Sequence, residues 1–142
     1  MSTTFRKIKI YLDTSVISYL DQPERLEKME ETHQFWKEIK LGKYLIYISE
    51  YVLREINRCR DNEKTETLLN YLREIYYQEL EITKEVEKLA QKYIENKLIP
   101  IKYMYDAIHI ATATVNNCDL LASWNFVHMV KYTTIQGVNR NK

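Results

Sequence analysis

Three carboxylates, Asp13, Glu55 and Asp106, have the side chains and the placement to do chemistry. Asp13 closes the run Lys7–Leu12, in which Ile8, Ile10 and Leu12 alternate with Lys7, Lys9 and Tyr11 at the period of a strand. Glu55 falls in a predicted helix directly after the apolar, β-favouring run Tyr44–Ile48. Asp106 opens a predicted helix that leads to a strand over 120–123, and Ser123 and Asn125 stand at that strand's end. Ser15 follows Asp13 by two residues. In a parallel sheet, residues just beyond the carboxyl ends of the strands can converge on one crevice. Carboxylate oxygens in a chain with three histidines suit Mg2+ or Mn2+ better than zinc. Such ions hydrolyse phosphodiesters by activating water and stabilising the leaving oxygen, often as a pair roughly 4 Å apart.

Each carboxylate also has a plainer reading. Asp, Ser and Thr are favoured helix caps, so Asp13 or Thr14 can simply start a helix over Val16–Leu20. At 100° per residue, Glu55 borders the apolar arc of Val52, Leu53, Ile56 and Cys59, where a cleft could reach it. The alternative for Glu55 is a surface acid beside Arg54 or Arg58. Glu50 lies well outside that arc and reads as a first-turn acid offsetting the helix dipole. Asp106 occupies a similar first-turn position, where a cap is the alternative. His109, one turn on, either orients Asp106 or packs. His33 reads as a packed histidine, since no metal-ligand partner stands at the right spacing, and Asp119 reads as a turn residue.

The elements that must hold these groups are helices joined to a few strands. Two Gly and two Pro leave little room for a strand-and-turn fold. Leu26, Met29, His33, Trp36 and Ile39 follow helical spacing up to Lys40, and Gly42 suits a left-handed helix stop. A helix opening at Ser49 is expected to reach Arg60. A charged helix is expected over 61–77 with Leu68, Leu69, Leu72, Ile75 and Tyr76 inward. Residues 79–82 alternate as a short strand, and Thr83 caps a helix carrying Val86, Leu89, Ala90, Tyr93 and Ile94 on one face. Residues 120–123 read as a buried strand. At 142 residues and 45% hydrophobic, the chain is expected to form one domain over 1–142, with a short polar tail over 133–142. A net charge of +1 lacks the basic excess of many nucleic-acid binders. Cys59 and Cys118 are far apart and suggest neither zinc nor a disulfide framework. A reduced, cytoplasmic setting is expected, with no signal peptide and no membrane span. There is no Gly-rich phosphate loop and no nucleophile elbow.

Four stretches together resemble the PIN domain family, especially small PIN proteins of the VapC toxin type. They are Tyr11-Leu12-Asp13-Thr14-Ser15-Val16-Ile17, Ser49-Glu50-Tyr51-Val52-Leu53-Arg54-Glu55-Ile56, Tyr105-Asp106-Ala107-Ile108-His109-Ile110-Ala111 and Leu121-Ala122-Ser123-Trp124-Asn125-Phe126. They fall in the family's order and cover about residues 8–132. The resemblance implies a three-layer α/β/α fold with a central, mainly parallel sheet. It implies a Mg2+- or Mn2+-dependent ribonuclease, the toxin of a toxin–antitoxin pair. Asp13, Glu55 and Asp106 are then the catalytic, metal-binding acids, with Ser15 and Ser123 in support. It also implies an RNA substrate, an antitoxin protein as partner, and a homodimer. One departure stands out: Asn125 occupies a place where the family often has a fourth acid. An amide oxygen can coordinate without charge, so Asn125 is expected to be a weak ligand and a second ion to bind less tightly.

Two other functions compete. A haloacid-dehalogenase-type phosphatase also uses an Asp after its first strand, but needs a second Asp two residues on, where this chain has Ser15. A catalytically weakened PIN-fold module that binds RNA or protein fits Asn125 and the near-neutral charge. Against the module stand three acids that would repel each other without an ion.

Overall fold

The structure, a computed structural model, describes residues 6–125. Among these residues four strands form one sheet: β1 (Ile8–Leu12), β2 (Tyr44–Ser49), β3 (Gln78–Leu80) and β4 (Leu120–Ala122). Their order is β3-β2-β1-β4, and every pairing is parallel. Ile10 lies opposite Ile46 on one side and Leu120 on the other, and Leu12 lies opposite Ala122. The helices are α1 (Thr14–Ser18), α2 (Leu26–Lys40), α3 (Glu50–Asn57), α4 (Asn62–Leu72), α5 (Lys84–Glu95) and α6 (Met104–Val115), with short 3-10 turns at 19–21, 23–25 and 101–103.

The chain steps from β1 to β2 to β3 in one direction, then returns to the far side of β1 as β4. Parallel crossovers are right-handed, so this reversal puts α5 and α6 on the face opposite α1–α4. Two apolar cores result. One joins Ile10, Leu12, Ile46 and Ile48 of the sheet to Val16, Trp36, Val52 and Leu68 of the helices. The other holds Val86, Ala90 and Tyr93 of α5 against Ala107 and Ala111 of α6, with Ile99 between. The small alanines let the two helices approach closely. This is the expected three-layer α/β/α arrangement. The reversal between β1 and β4 also opens a crevice beyond their carboxyl ends.

Several details depart from expectation. Tyr11 does not face out beside Lys9; it is fully buried, because α6 covers that second face of β1. Residues 120–122 are not a buried strand: Leu120 is 54% exposed, since β4 flanks β1 on one side only among the described residues. Helix α3 ends at Asn57 rather than Arg60. Arg58 N–H bonds the Arg54 and Glu55 carbonyls there, and Asp61 begins α4 by accepting from Glu63 N and Lys64 N. Cys59 therefore lies past the helix, not on its apolar arc. Helix α4 ends at Leu72, and Tyr76, expected inward, is 98% exposed. Ile75, Tyr76 and Tyr77 are mediocre helix formers and lead instead into β3. Gly42 takes φ +78° after α2, as its position implies, and its N–H bonds the Ile39 carbonyl at 2.9 Å. Cys59 and Cys118 are both free thiols. Among the described residues no helix is long and apolar enough to cross a membrane. The tail over 133–142 lies outside the described residues.

Candidate active site

Asp13 follows β1 in extended conformation and caps α1. Its Oδ1 accepts from Ser15 N at 2.9 Å, Ser15 Oγ at 2.6 Å and Val16 N at 3.4 Å, and its Oδ2 accepts from Ser123 Oγ. The cap reading and the site reading thus describe the same 1% exposed carboxylate. Ser15 Oγ also accepts from Trp124 N at 2.8 Å, and Ser123 Oγ accepts from Asn125 N at 2.9 Å. Two hydroxyls therefore tie the start of α1 to the segment leaving β4. Trp124 Nε1–H donates to Thr32 Oγ1 at 2.9 Å, which anchors that segment to α2.

Glu55 Oε1 accepts from Thr14 Oγ1 and, at 2.9 Å, from His109 Nε2. Burial pushes the Glu55 carboxyl up, but the hydrogen bonds from His109 and Thr14 and the nearby charge of Arg58 outweigh it, leaving the group below its ordinary value. An ionised Glu55 needs a donor, which makes Nε2 the protonated ring nitrogen. His109 Nδ1 then accepts from Tyr11 OH at 2.7 Å, and Tyr11 accepts from Ser49 Oγ at 2.8 Å. Burial holds the Tyr11 hydroxyl well above the ordinary tyrosine range, so it remains a donor. Ser49 also caps α3, accepting from Val52 N at 3.3 Å. The chain Ser49–Tyr11–His109–Glu55 crosses from β2 through β1 to α6 and back to α3.

Asp106 lies in the first turn of α6. Asp13, Glu55 and Asp106 line one cavity of about 210 Å³. Thr14, Ser15, Lys102, Tyr103, Tyr105, His109 and Asn125 complete its lining. Asn125 is exposed at this rim. Glu50 turns instead to the loop after β3, accepting from Ile82 N at 2.7 Å and pairing with Arg54 at 3.2 Å. Asp119 takes both guanidinium nitrogens of Arg6 at 2.9 Å and Lys9 N at 2.8 Å, which holds its carboxyl down to about 2. It thus fastens the turn before β4 to the chain entering β1. His33 Nε2 bonds the Leu20 carbonyl at 2.8 Å and packs edge-on against Tyr71, as a structural histidine.

The donors lining this cavity suit a hard divalent cation in kind: three carboxylates, one amide and no thiol. They are not drawn tightly together. Among the described residues no three His, Cys, Asp or Glu side chains form a set that could hold an ion as they stand. The hydroxyls on Asp13 and the His109 and Thr14 donors on Glu55 occupy the positive environment a cation would supply.

Sequence reasoning did not identify Thr14, Tyr11 or Lys102 as parts of this site. For Tyr11 the alternation of β1 argued against burial, and only the α6 layer reverses it. For Lys102 no local pattern exists, because its place depends on the turn before α6.

The sequence profile of the PIN domain family matches residues 10–125. The chain belongs to the PIN domain family. A search of curated proteins gives no significant match. Two solved structures share the fold. One is VapBC2 from Rickettsia felis bound to a DNA fragment from their promoter, with TM-score 0.59 and 16% identity, covering 85% of this chain and 90% of that one. The other is VapC20 of Mycobacterium tuberculosis, a Sarcin-Ricin loop cleaving toxin, with TM-score 0.60 and 15% identity, covering 83% and 91%. This PIN chain therefore has the three-layer fold of VapC toxin structures.

Proposed function

We propose that this PIN protein is a ribonuclease that hydrolyses RNA phosphodiester bonds with Mg2+ or Mn2+, acting as the toxin of a toxin–antitoxin pair. The observation that carries the reading is the meeting of Asp13, Glu55 and Asp106, from three separate elements, around one cavity. These three would hold the ion, with Asn125 as a neutral oxygen donor. When bound, the ion lowers the pKa of a water and stabilises charge on the leaving oxygen. Ser15 and Ser123 fix the orientation of Asp13, and His109 and Thr14 fix that of Glu55. Lys102, the one Lys or Arg lining the cavity among the described residues, supplies a positive charge for a phosphate entering past the carboxylates. The fold shared with a Sarcin-Ricin loop cleaving toxin and with a VapBC complex supports RNA as substrate and an antitoxin protein as partner. The proposal further includes a single domain over 1–142, self-association as a homodimer and a cytoplasmic setting, as the resemblance to small PIN toxins implies.

One observation favours a second reading, a catalytically weakened PIN module that binds RNA or protein. Asp13 and Glu55 already accept hydrogen bonds from protein donors, and among the described residues no three His, Cys, Asp or Glu side chains form a set that could hold an ion. The test is incubation of the purified protein with structured and single-stranded RNAs in Mg2+ or Mn2+, then in EDTA. A nuclease cleaves with metal and stops with EDTA, and Asp106→Asn abolishes cleavage without unfolding the protein. Absence of cleavage across many RNAs at saturating metal would establish the module instead.

A further inference from the structure

Beside the carboxylates lies an aromatic surface with no part in the roles assigned above. Tyr105 lines the cavity and is 58% exposed. One of its faces stacks on Tyr51, with ring centroids 6.0 Å apart and planes 21° from parallel. Tyr51 is itself buried, and its ring meets His109 edge-on at 5.4 Å, while the Arg54 guanidinium sits 5.8 Å from its centroid. The exposed ring is therefore backed by a fixed one and linked through His109 to Glu55. In the same cavity lining Lys102 lies 5.1 Å over the Tyr103 ring. An exposed aromatic ring stiffened from behind, a cation and three carboxylates line one cavity.

We propose that Tyr105, backed by Tyr51, is a base-stacking subsite that receives an unstacked RNA base next to the phosphate at the carboxylates. The inference rests on the ribonuclease reading and adds to it the residue that takes up a base of the RNA, one able to leave its stack. A duplex keeps its bases inside and offers no face to a ring on the rim. Stacking tolerates every base, so the subsite selects for exposure rather than for sequence. The neutral ring suits the place. An acidic side chain there would add to the repulsion of phosphate that the carboxylates already exert. Tyr51 buttresses the ring, so little rotamer freedom remains to be lost when a base arrives.

The test compares the parent with Tyr105→Ala, Tyr105→Leu and Tyr105→Phe. Affinity for an end-labelled single-stranded RNA is read by fluorescence anisotropy with Ca2+ in place of Mn2+, and cleavage of the same RNA is read separately with Mn2+. Tyr105→Ala and Tyr105→Leu should weaken binding about 5- to 150-fold, the range that base–aromatic stacking covers, and Tyr105→Phe should keep it. In cleavage the loss should fall on KM more than on kcat. An RNA carrying one abasic site, moved position by position, should bind the parent weakly at one position, and there Tyr105→Ala should cost nothing further. Leu keeps an apolar bulk at the site, so it controls for a folding defect in the Ala variant. If both variants bind like the parent while the parent cleaves RNA, the stacking subsite is refuted and the ribonuclease stands. If the parent neither binds nor cleaves RNA, the ribonuclease reading falls and the subsite with it.

Discussion

The Asp13 carboxylate accepts from Ser15 on one oxygen and from Ser123 on the other, so its replacement separates a structural role from a metal role. Asn caps helices about as well as Asp and keeps one acceptor in place. Asp13→Asn should therefore change metal-free stability by less than about 1 kcal/mol, because relief of repulsion is set against one altered hydrogen bond. Asp13→Ala removes the acceptor of the Ser15 and Val16 N–H groups and of the Ser15 and Ser123 hydroxyls, and should cost about 2–3 kcal/mol in urea unfolding. Both should lose stabilisation by Mn2+. A large stability loss in Asp13→Asn would assign the residue to capping alone. Glu55 makes a separate prediction, for pH. Its folded pKa lies below the ordinary 4.5, so its contribution is present above the unfolded value and is lost as pH falls through the folded one. The stability gap between parent and Glu55→Gln should be widest near neutral pH and close as pH falls through the folded value. In His109→Phe the Glu55 carboxyl, followed by carbon-detected NMR, should titrate at higher pH than in the parent, having lost a donor in a half-buried place. An unmoved titration would show that Thr14 alone holds it.

Among the elements, the stop of α2 is the feature most open to a clean test. Gly42 sits at φ +78°, and an added Cβ there would meet Lys7 Nζ at 3.9 Å, an ordinary contact. The cost of Gly42→Ala is thus conformational, about 1–2 kcal/mol, with no change in RNA cleavage. A neutral result in thermal unfolding would mean that the turn relaxes to negative φ. Such local signals were legible in the sequence: Gly42, the caps Ser49 and Thr83, the apolar strands β1 and β2, and the face of α5 all stand where spacing puts them. What was hidden is relational. Tyr11 and His109 are 98 residues apart, and neither side chain has a pattern that announces the other. Whether His109 packs or orients an acid depended on which layer covers β1; it does both, and the acid its Nε2 holds is Glu55. The ends of α3 and α4 were missed because helical spacing persists beyond the last helical residue. The Asp61 cap and the Ile75-Tyr76-Tyr77 run were the counter-signals available. Glu55 was placed at the margin of its helix arc by angle alone, and the structure puts that margin at the cavity.

For the molecule as a whole, the parallel order β3-β2-β1-β4 decides where charge accumulates. The loop after β1, helix α3, the first turn of α6 and the segment leaving β4 all come to one cavity, which three carboxylates line while the chain overall stays near neutral at +1. A cation that binds only the folded chain stabilises it by mass action, about 2.7 kcal/mol when its concentration is a hundred times its Kd. For a chain of this size that corresponds to a rise in Tm of about 5–10 °C, reversed by EDTA. Asn125 tunes this effect. Its side chain is exposed on the rim, so Asn125→Asp should leave metal-free stability within about 0.5 kcal/mol of the parent. The fourth negative charge should tighten Mn2+ binding on the order of tenfold, seen as the same rise in Tm reached at lower Mn2+. In a nuclease, cleavage then persists or increases at low metal. In a binding module the added charge meets RNA phosphates with no ion between, so RNA affinity falls, Mn2+ leaves Tm unchanged, and cleavage is absent in parent and variant alike. Differential scanning calorimetry across a Mn2+ series, with cleavage followed on the same samples, separates the two outcomes in one pair of proteins.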